Sequence, residues 1–407
     1  MATENKKYIP ALRFPEFQND GEWKADTMET IFDIKNGYTP SKSNLSFWDN
    51  GTIPWFRMED IRKNGHILSD SIQHVTPAAV KNAGLFPAYS IIVATTATIG
   101  EHALIIVDSL ANQRFTFLTK RKSFDNKLDM MYFHYFMFII DEWCKRNTNA
   151  GGLLSVNMDS FKKLTIPYPS SLSEQKKIAD CFVSIDKEID AAKRKLELLK
   201  EHKKGLIQRL FPAKGKTTPK LRFSEFKNDG EWVEKKVRNI FDQITRGCVL
   251  PVSETRQSPD DTYKYPVYSS QTANNGLMGY YNKFLYKNAI TWTTDGANAG
   301  TVMLRRGEFF CTNVCGVLIS HRGYANGCIS EIIATHAKEH VSYVGNPKLM
   351  NNVMGEIEIC IPPTIDEQIK IADCLYKVDQ IIISHEKKIK SLELHKRGLI
   401  QQLFPKL

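Results

Sequence analysis

Apolar residues recur at alternating spacings of four and three along two long stretches of this chain, which is the seam pattern of a coiled coil rather than the broad face of a globular helix. The first seam runs Ile178, Phe182, Ile185, Ile189, Ala192, Leu196, Leu199, Lys203, Leu206 and Leu210. The second runs Ile371, Leu375, Val378, Ile382, His385, Ile389, Leu392, Lys396, Leu399 and Leu403, in the same register. Each pattern predicts a helix of roughly 38 residues, about 57 Å long at 1.5 Å per residue. Ser173 and Asp366 stand where N-caps belong, and Leu-Phe-Pro, with Pro212 and Pro405, stops each helix. Connectivity favours an antiparallel pair, because the first helix feeds a segment that must return to start the second. In that pairing Ala192 faces His385 near the middle, either as a register device or as a solvated seam histidine.

Elsewhere the apolar runs are short, as at 90–94, 102–107 and 316–320, and are broken by Gly, Pro, Asn and Asp. They predict strands, with helices over 129–145 and 331–343. The frame around them repeats. LRFPEFQNDGEW at 12–23 returns as LRFSEFKNDGEW at 221–232, and SEQKKIADCF at 173–182 returns as DEQIKIADCL at 366–375. The second pair continues without a gap to GLIQRLFP and GLIQQLFP. Between these shared ends the contents differ, GYTPSKSNLSFWDNGTIPWFRMED in one half and CVLPVSETRQSPDDTYKYPVYSSQTANNGLMGYY in the other. The repeat is also cyclic: if the terminal LFPKL lay beside IPALRF, the circle would close with pseudo-two-fold symmetry. The predicted fold class is two α/β (α+β) domains, 1–172 and 213–365, joined by two long antiparallel coiled-coil helices, 173–212 and 366–407.

Composition sharpens this without deciding it. Hydrophobic content of 42% beside 25% charged residues excludes a wholly disordered chain. The formal net charge of +10 favours a polyanionic partner. MATENKKYIP has no apolar run behind its lysines, and the longest apolar stretch, 131–140, is too short for a bilayer, so no membrane and a cytoplasmic location are expected. The eight scattered cysteines read as reduced core thiols rather than a disulfide framework.

The loops of each half hold the amides, hydroxyls and guanidiniums that reading base edges requires. In the first half the candidates are Thr39, Ser41, Lys42, Asn44, Arg57, Glu59, Thr96, Thr98, Gln113 and Arg114. In the second they are Arg246, Arg256, Ser269, Ser270, Gln271, Asn274, Asn275, Thr294, Asn298, Thr312 and Asn313. Trp48, Trp55, Tyr265, Tyr268, Tyr280 and Tyr281 read as core or loop anchors rather than base-stacking platforms. Lys and Arg spread along both halves suit the phosphate backbone, a contact blind to sequence.

Catalytic signatures are missing. Asn149-Ala150-Gly151-Gly152 is too short for a phosphate-cradling loop and has no following Lys-Ser/Thr. Ile361-Pro362-Pro363-Thr364 and Asn346-Pro347-Lys348 fail the Asp/Asn-Pro-Pro-aromatic pattern of an amino-methyltransferase. Cys311, Cys315 and Cys328, with His336 and His340, lack metal-ligand spacing. Glu59/Asp60 and Asp260/Asp261 leave a self-contained Mg²⁺ endonuclease as one alternative, and a coiled-coil scaffold is another.

With the LRF-EF-GEW openings and the EQ-KIADC helices in order, nearly the whole chain resembles a type I restriction-modification specificity subunit. The resemblance implies two target-recognition domains, each reading one half of an asymmetric bipartite site on double-stranded DNA, with the paired helices as a ruler. It implies a non-catalytic chain that binds no cofactor or metal itself. Two modification subunits using S-adenosylmethionine, and ATP/Mg-dependent motor-nuclease restriction subunits, are the implied partners.

Overall fold

A computed structural model describes residues 8–81, 84–149, 154–271 and 273–407. The MATENKK terminus and the Ala150-Gly151-Gly152 stretch lie outside them. Contacts part the chain into two compact units, residues 1–192 with 388–407, and residues 193–387. The boundaries expected at 172/173 and 365/366 fall one residue inside the long helices, and 212/213 lies just past the end of the first; each unit takes part of both helices, whose ends are built into the domain cores.

Those helices are Leu172–Leu210 and Ile365–Leu403, 39 residues each. Every predicted seam position is buried or half-buried. Inside the first unit the helices are antiparallel: Phe182 stacks on Phe404 with centroids 5.8 Å apart, Asp186 meets Lys396 and Glu188 meets Lys388. Inside the second unit the same order holds, with Lys200 against Glu386 and Lys203 against Asp379. The two seam lysines thus have a shared purpose. Lys396 Nζ lies 2.6 Å from Asp186, which also accepts a hydrogen bond from the Tyr135 hydroxyl. Lys203 Nζ lies 2.8 Å from Asp379 and 3.0 Å from Glu331, and these carboxylates raise its pKa against the effect of burial.

The caps differ from expectation by two residues. Leu172 and Ile365 already open the helices, so Ser171 and Thr364 take the cap: Ser171 Oγ accepts from the Ser173 amide at 3.2 Å, and Thr364 Oγ1 from the Glu367 amide at 3.3 Å. Glu174 and Glu367 then fall in the first turn, where an acidic residue complements the helix dipole. Each carboxylate is buried and takes both arms of an arginine from the LRF opening: Arg13 Nε and Nη2 at 2.7 Å in one unit, Arg222 Nε and Nη2 at 2.7 Å in the other. The GEW tryptophan joins in, Trp23 Nε1 at 3.2 Å from Glu174 and Trp232 Nε1 at 3.2 Å from Glu367. The glutamine beside each glutamate is buried too. Gln175 donates to the Lys127 and Pro169 carbonyls and accepts the Asp129 amide, whereas Gln368 donates to the Pro362 carbonyl and accepts from Asn326.

The circle closes locally. The Leu12 amide donates to the Gln402 carbonyl at 2.9 Å, and Phe404 packs on Tyr132 and Phe136. The matching bond in the second unit runs from the Leu221 amide to the Arg209 carbonyl at 2.8 Å, with Phe211 against Trp232.

The first unit holds a five-stranded sheet in the order Phe32–Asn36, Phe115–Lys120, Ser90–Ala94, His102–Ile105, Ile67–Leu68, and a three-stranded sheet with Ile53–Phe56 between His74–Val75 and Leu110–Ala111. Ser90–Ala94 is buried throughout, which explains a continuous apolar run in place of alternation. Ile91 and Val93 face helix Met130–Arg146, and Ile92 and Ala94 face Phe56, Phe115 and Phe117. The second unit has one six-stranded sheet, ordered Gln243–Arg246, Cys315–Ile319, Tyr286–Thr293, Val302–Cys311, Tyr265–Tyr268, Leu277–Tyr281. The helix expected over 331–343 is Gly327–Ala337, because the Asn326 side chain caps it through the Ile329 amide and it ends before His340. Among the described residues no helix is long and apolar enough to cross a membrane.

A buried bidentate pair stripped of one partner leaves an uncompensated charge, at a cost of about 3–5 kcal/mol. Glu174→Ala should lower the thermal stability of the first unit by that order, and the double variant Arg13→Met, Glu174→Leu should recover most of the loss. Calorimetry of the full chain checks this, and an unchanged melting profile for Glu174→Ala would count against the pair's role.

Candidate nucleic-acid interface

In each unit several of the candidate side chains gather where strands end together. Strand Phe32–Asn36 runs antiparallel to Phe115–Lys120, which runs antiparallel to Ser90–Ala94, so Asn36, Phe115 and Ala94 share one edge. Phe56 reaches the same place, its strand parallel to Leu110–Ala111. The crossing is tight. Gly37 donates to the Phe115 carbonyl at 2.9 Å, Tyr38 to the Ala111 carbonyl at 2.8 Å, and Asn112 to the Phe56 carbonyl at 3.0 Å. A Cβ on Gly37 would stand 2.4 Å from the Ala111 carbonyl oxygen, so only glycine fits.

The second unit has the same backbone pattern with largely different side chains. Gly247 donates to the Cys315 carbonyl at 3.0 Å, Cys248 to the Cys311 carbonyl at 3.1 Å, and Thr312 to the Tyr268 carbonyl at 2.9 Å. A Cβ on Gly247 would lie 2.1 Å from the Cys311 oxygen. The turns 112–115 and 312–315 close alike, through Phe115 N to Asn112 O at 3.1 Å and Cys315 N to Thr312 O at 2.9 Å. Thr95 and Thr294 likewise donate to the Arg114 and Val314 carbonyls.

The edge of the first unit brings together Thr39, Arg57, Thr96, Thr98, Gln113 and Arg114. Thr39 Oγ1 donates to Gln113 Oε1, and Arg57 pairs with Glu59 at 3.1 Å and lies 5.9 Å from the Trp55 ring. Ser41, Lys42 and Asn44 are exposed on the loop 39–50, with Asn44 Oδ1 accepting from the Ser46 amide as a cap. Trp48 and Trp55 anchor that loop, edge to face at 5.1 Å, with their indole N–H groups on the Ser41 and Tyr38 carbonyls.

In the second unit Arg256, Gln271, Asn274, Asn275 and Asn313 are exposed, while Ser269, Ser270 and Asn298 are half-buried. Thr294 and Thr312 sit deeper than their sequence context suggests. Thr294 is fully buried with its hydroxyl on Asp295, and Thr312 gives its hydroxyl to Ser269, so both hold the edge rather than face solvent. Arg246 turns away, to Asn351 Oδ1 at 3.3 Å.

One residue of this edge was not foreseen. Arg305 is 7% exposed, lies 3.7 Å from the Tyr268 ring, and donates to Thr291 Oγ1 at 3.0 Å and the Asn275 carbonyl at 2.6 Å. Burial lowers its pKa, and its electrostatic neighbours are Tyr268, Cys315 and Cys311. The Arg-Arg step inside the apolar run VMLRRGEFF is the signal that could have flagged it.

One acid of each pair is held by backbone amides. Asp60 is buried and accepts from the Arg57 and Ile72 amides at 2.6 Å each, and Asp260 accepts from the Thr262 and Tyr263 amides. His340 lies in a separate 3₁₀ turn from His336, and Cys328 packs in a different core from Cys311 and Cys315. Desolvation pushes the Cys315 thiol up to about 11. Among the described residues no group of three or more His, Cys, Asp or Glu is placed to hold a metal ion.

Two strand-rich units that share a backbone edge, each built onto the ends of matched helices, define a tandem-repeat protein. Residues 20–201 and 229–394 both match the family described as type I restriction modification DNA specificity domain. The EcoprrI type I restriction enzyme specificity subunit of Escherichia coli is 32% identical over 370 residues, covering 89% of this chain and 90% of that one. A putative type I specificity subunit of Mycoplasma pneumoniae, S.MpnORF289P N-terminus, is 38% identical over 127 residues, 30% of this chain and 66% of that one. The fold is similar to the crystal structure of a type I restriction-modification S subunit from M. genitalium, with a TM-score of 0.63 at 17% identity, covering 98% of this chain and 99% of that one. The chain belongs to the type I restriction-modification DNA specificity family, as the specificity subunit of such a system.

Because backbone carbonyls leave no room beside Gly37 and Gly247, Gly37→Ala and Gly247→Ala should each displace one turn at a cost of about 1–3 kcal/mol. Hydrogen exchange should accelerate at 112–115 in the first variant and at 312–315 in the second. Unchanged protection in either turn contradicts the close approach.

Proposed function

We propose that each unit reads one half of an asymmetric bipartite site on double-stranded DNA, and that the matched helices offer equivalent docking places to two modification subunits. The observation that carries this reading is the shared edge: the same backbone hydrogen bonds frame Gly37 and Gly247, while the exposed side chains around them differ. One scaffold with two sets of donors and acceptors suits two unlike half-sites. Repeated helix sequences, by contrast, suit two copies of one partner.

The chain supplies address and alignment and catalyses no step itself. Transfer to a base requires that the base leave the stack and enter a partner's pocket. S-adenosylmethionine belongs to the modification subunits, and ATP and Mg²⁺ to the motor-nuclease subunits of a restricting complex, all acting in the cytoplasm. The excess of Lys and Arg contributes phosphate contacts that weaken with salt.

Exchanging residues 12–165 for the corresponding segment of a relative should change only one half of the methylated sequence, read by methylome sequencing of cells that carry the whole complex. Both halves changing together would sink the division of labour. Half-sites read from one face lie about 34–36 Å apart per DNA turn. Inserting one helical turn into both long helices should therefore alter the tolerated spacing between half-sites or abolish methylation; an unchanged spacing contradicts the ruler.

A further inference from the structure

The turns 112–115 and 312–315 hold corresponding places in the two units, wedged against Gly37 and Gly247 and closed by equivalent backbone bonds. Their sequences are unlike, Asn-Gln-Arg-Phe in one and Thr-Asn-Val-Cys in the other. At the second position, however, both carry an exposed carboxamide, Gln113 and Asn313. The neighbouring positions do not share a chemistry: Asn112 corresponds to Thr312, which is 6% exposed, and Arg114 corresponds to Val314.

We infer that Gln113 and Asn313 are specificity-determining residues, each reading an adenine of its own half-site through paired hydrogen bonds in the major groove. The inference rests on the half-site reading above. A carboxamide offers a donor and an acceptor side by side, which matches the N7 acceptor and N6 amino donor of adenine. Guanine presents two acceptors at the same edge, and cytosine a single donor, so neither satisfies both groups. Gln113 is also oriented in advance: the Thr39 hydroxyl donates to its Oε1, which fixes the amide plane and leaves the Nε2 hydrogens and a second lone pair on Oε1 for a base. Asn313, one methylene shorter, needs less restraint and has no side-chain hydrogen bond among the described residues. Each turn packs directly against the facing glycine, with no room for a Cβ between them, and a preorganised reader loses less entropy on binding.

The test uses the full chain assembled with its modification subunits. Gln113→Ala should make a single adenine position in one half-site degenerate while the other half stays intact, and Asn313→Ala should do the same in the opposite half. Affinity for the cognate duplex should fall about 5- to 150-fold, the range of one bidentate base contact, while the melting temperature stays constant. Should either alanine variant unfold, Gln113→Glu and Asn313→Asp keep the shape, remove the donor and should lose the preference for adenine. An unchanged methylated sequence overturns the inference. So does a uniform fall across all sequences, which marks a phosphate contact, or relaxation at a position that is not adenine. If the exchange of residues 12–165 leaves both half-sites unaltered, the half-site reading itself fails; if that exchange succeeds and these substitutions leave the sequence intact, only the carboxamide assignment fails.

Discussion

The buried pairing of one glutamate with one arginine and one tryptophan, made once in each unit, is the constraint on which the remaining architecture depends. Glu174 and Glu367 lie in the first turn of their helices, and the guanidiniums of Arg13 and Arg222 bridge them to the start of each domain. Arg13 also donates to the Gly21 carbonyl at 2.7 Å, and Arg222 to the Gly230 carbonyl at 2.6 Å, so the arginine folds its own opening loop while it engages the helix. A charge buried this completely is tolerated only with full pairing, and that requirement fixes helix against domain. The indole N–H completes the set. Without it, one glutamate oxygen would keep fewer partners in a site closed to water.

That pairing explains why short motifs at opposite ends of each half repeat while the intervening residues do not. LRF, GEW and EQ are distant in sequence, yet their side chains converge on one buried cluster, so a change in one must answer to the others. The edge at Gly37 and Gly247 obeys a different restriction. Its backbone bonds are fixed, but its exposed side chains are not packed into a core, and a binding surface varies more freely under those terms. Two unlike halves on one frame therefore reflect where packing leaves choice.

The long helices, their register and their stop signals were legible because a seam spacing of four and three leaves a strong mark in sequence. Several strands were legible for a similar reason, Ser90–Ala94 being a fully buried run. The function of Glu174 was not, since a glutamate in a first helical turn looks like ordinary dipole complementarity. Nor was the convergence of Thr39 with Gln113, which depends on strands distant in sequence meeting at one edge. Thr294 and Thr312 read as loop hydroxyls but serve the frame, because a Thr-Asp or Cys-Thr-Asn stretch carries no local sign of burial. Arg305 was not foreseen, because a charge inside an apolar run carries no local sign that it holds the Asn275 backbone.

Hydrogen exchange of the assembled complex, with and without its DNA site, tests the central claim most directly. Protection should appear at 37–44, 57, 96–98 and 112–114 in the first unit and at 269–271, 274–275 and 312–314 in the second. A duplex with one half-site scrambled should abolish protection in one unit and leave it in the other. Protection confined to the long helices, or lost from both units together, would contradict the account.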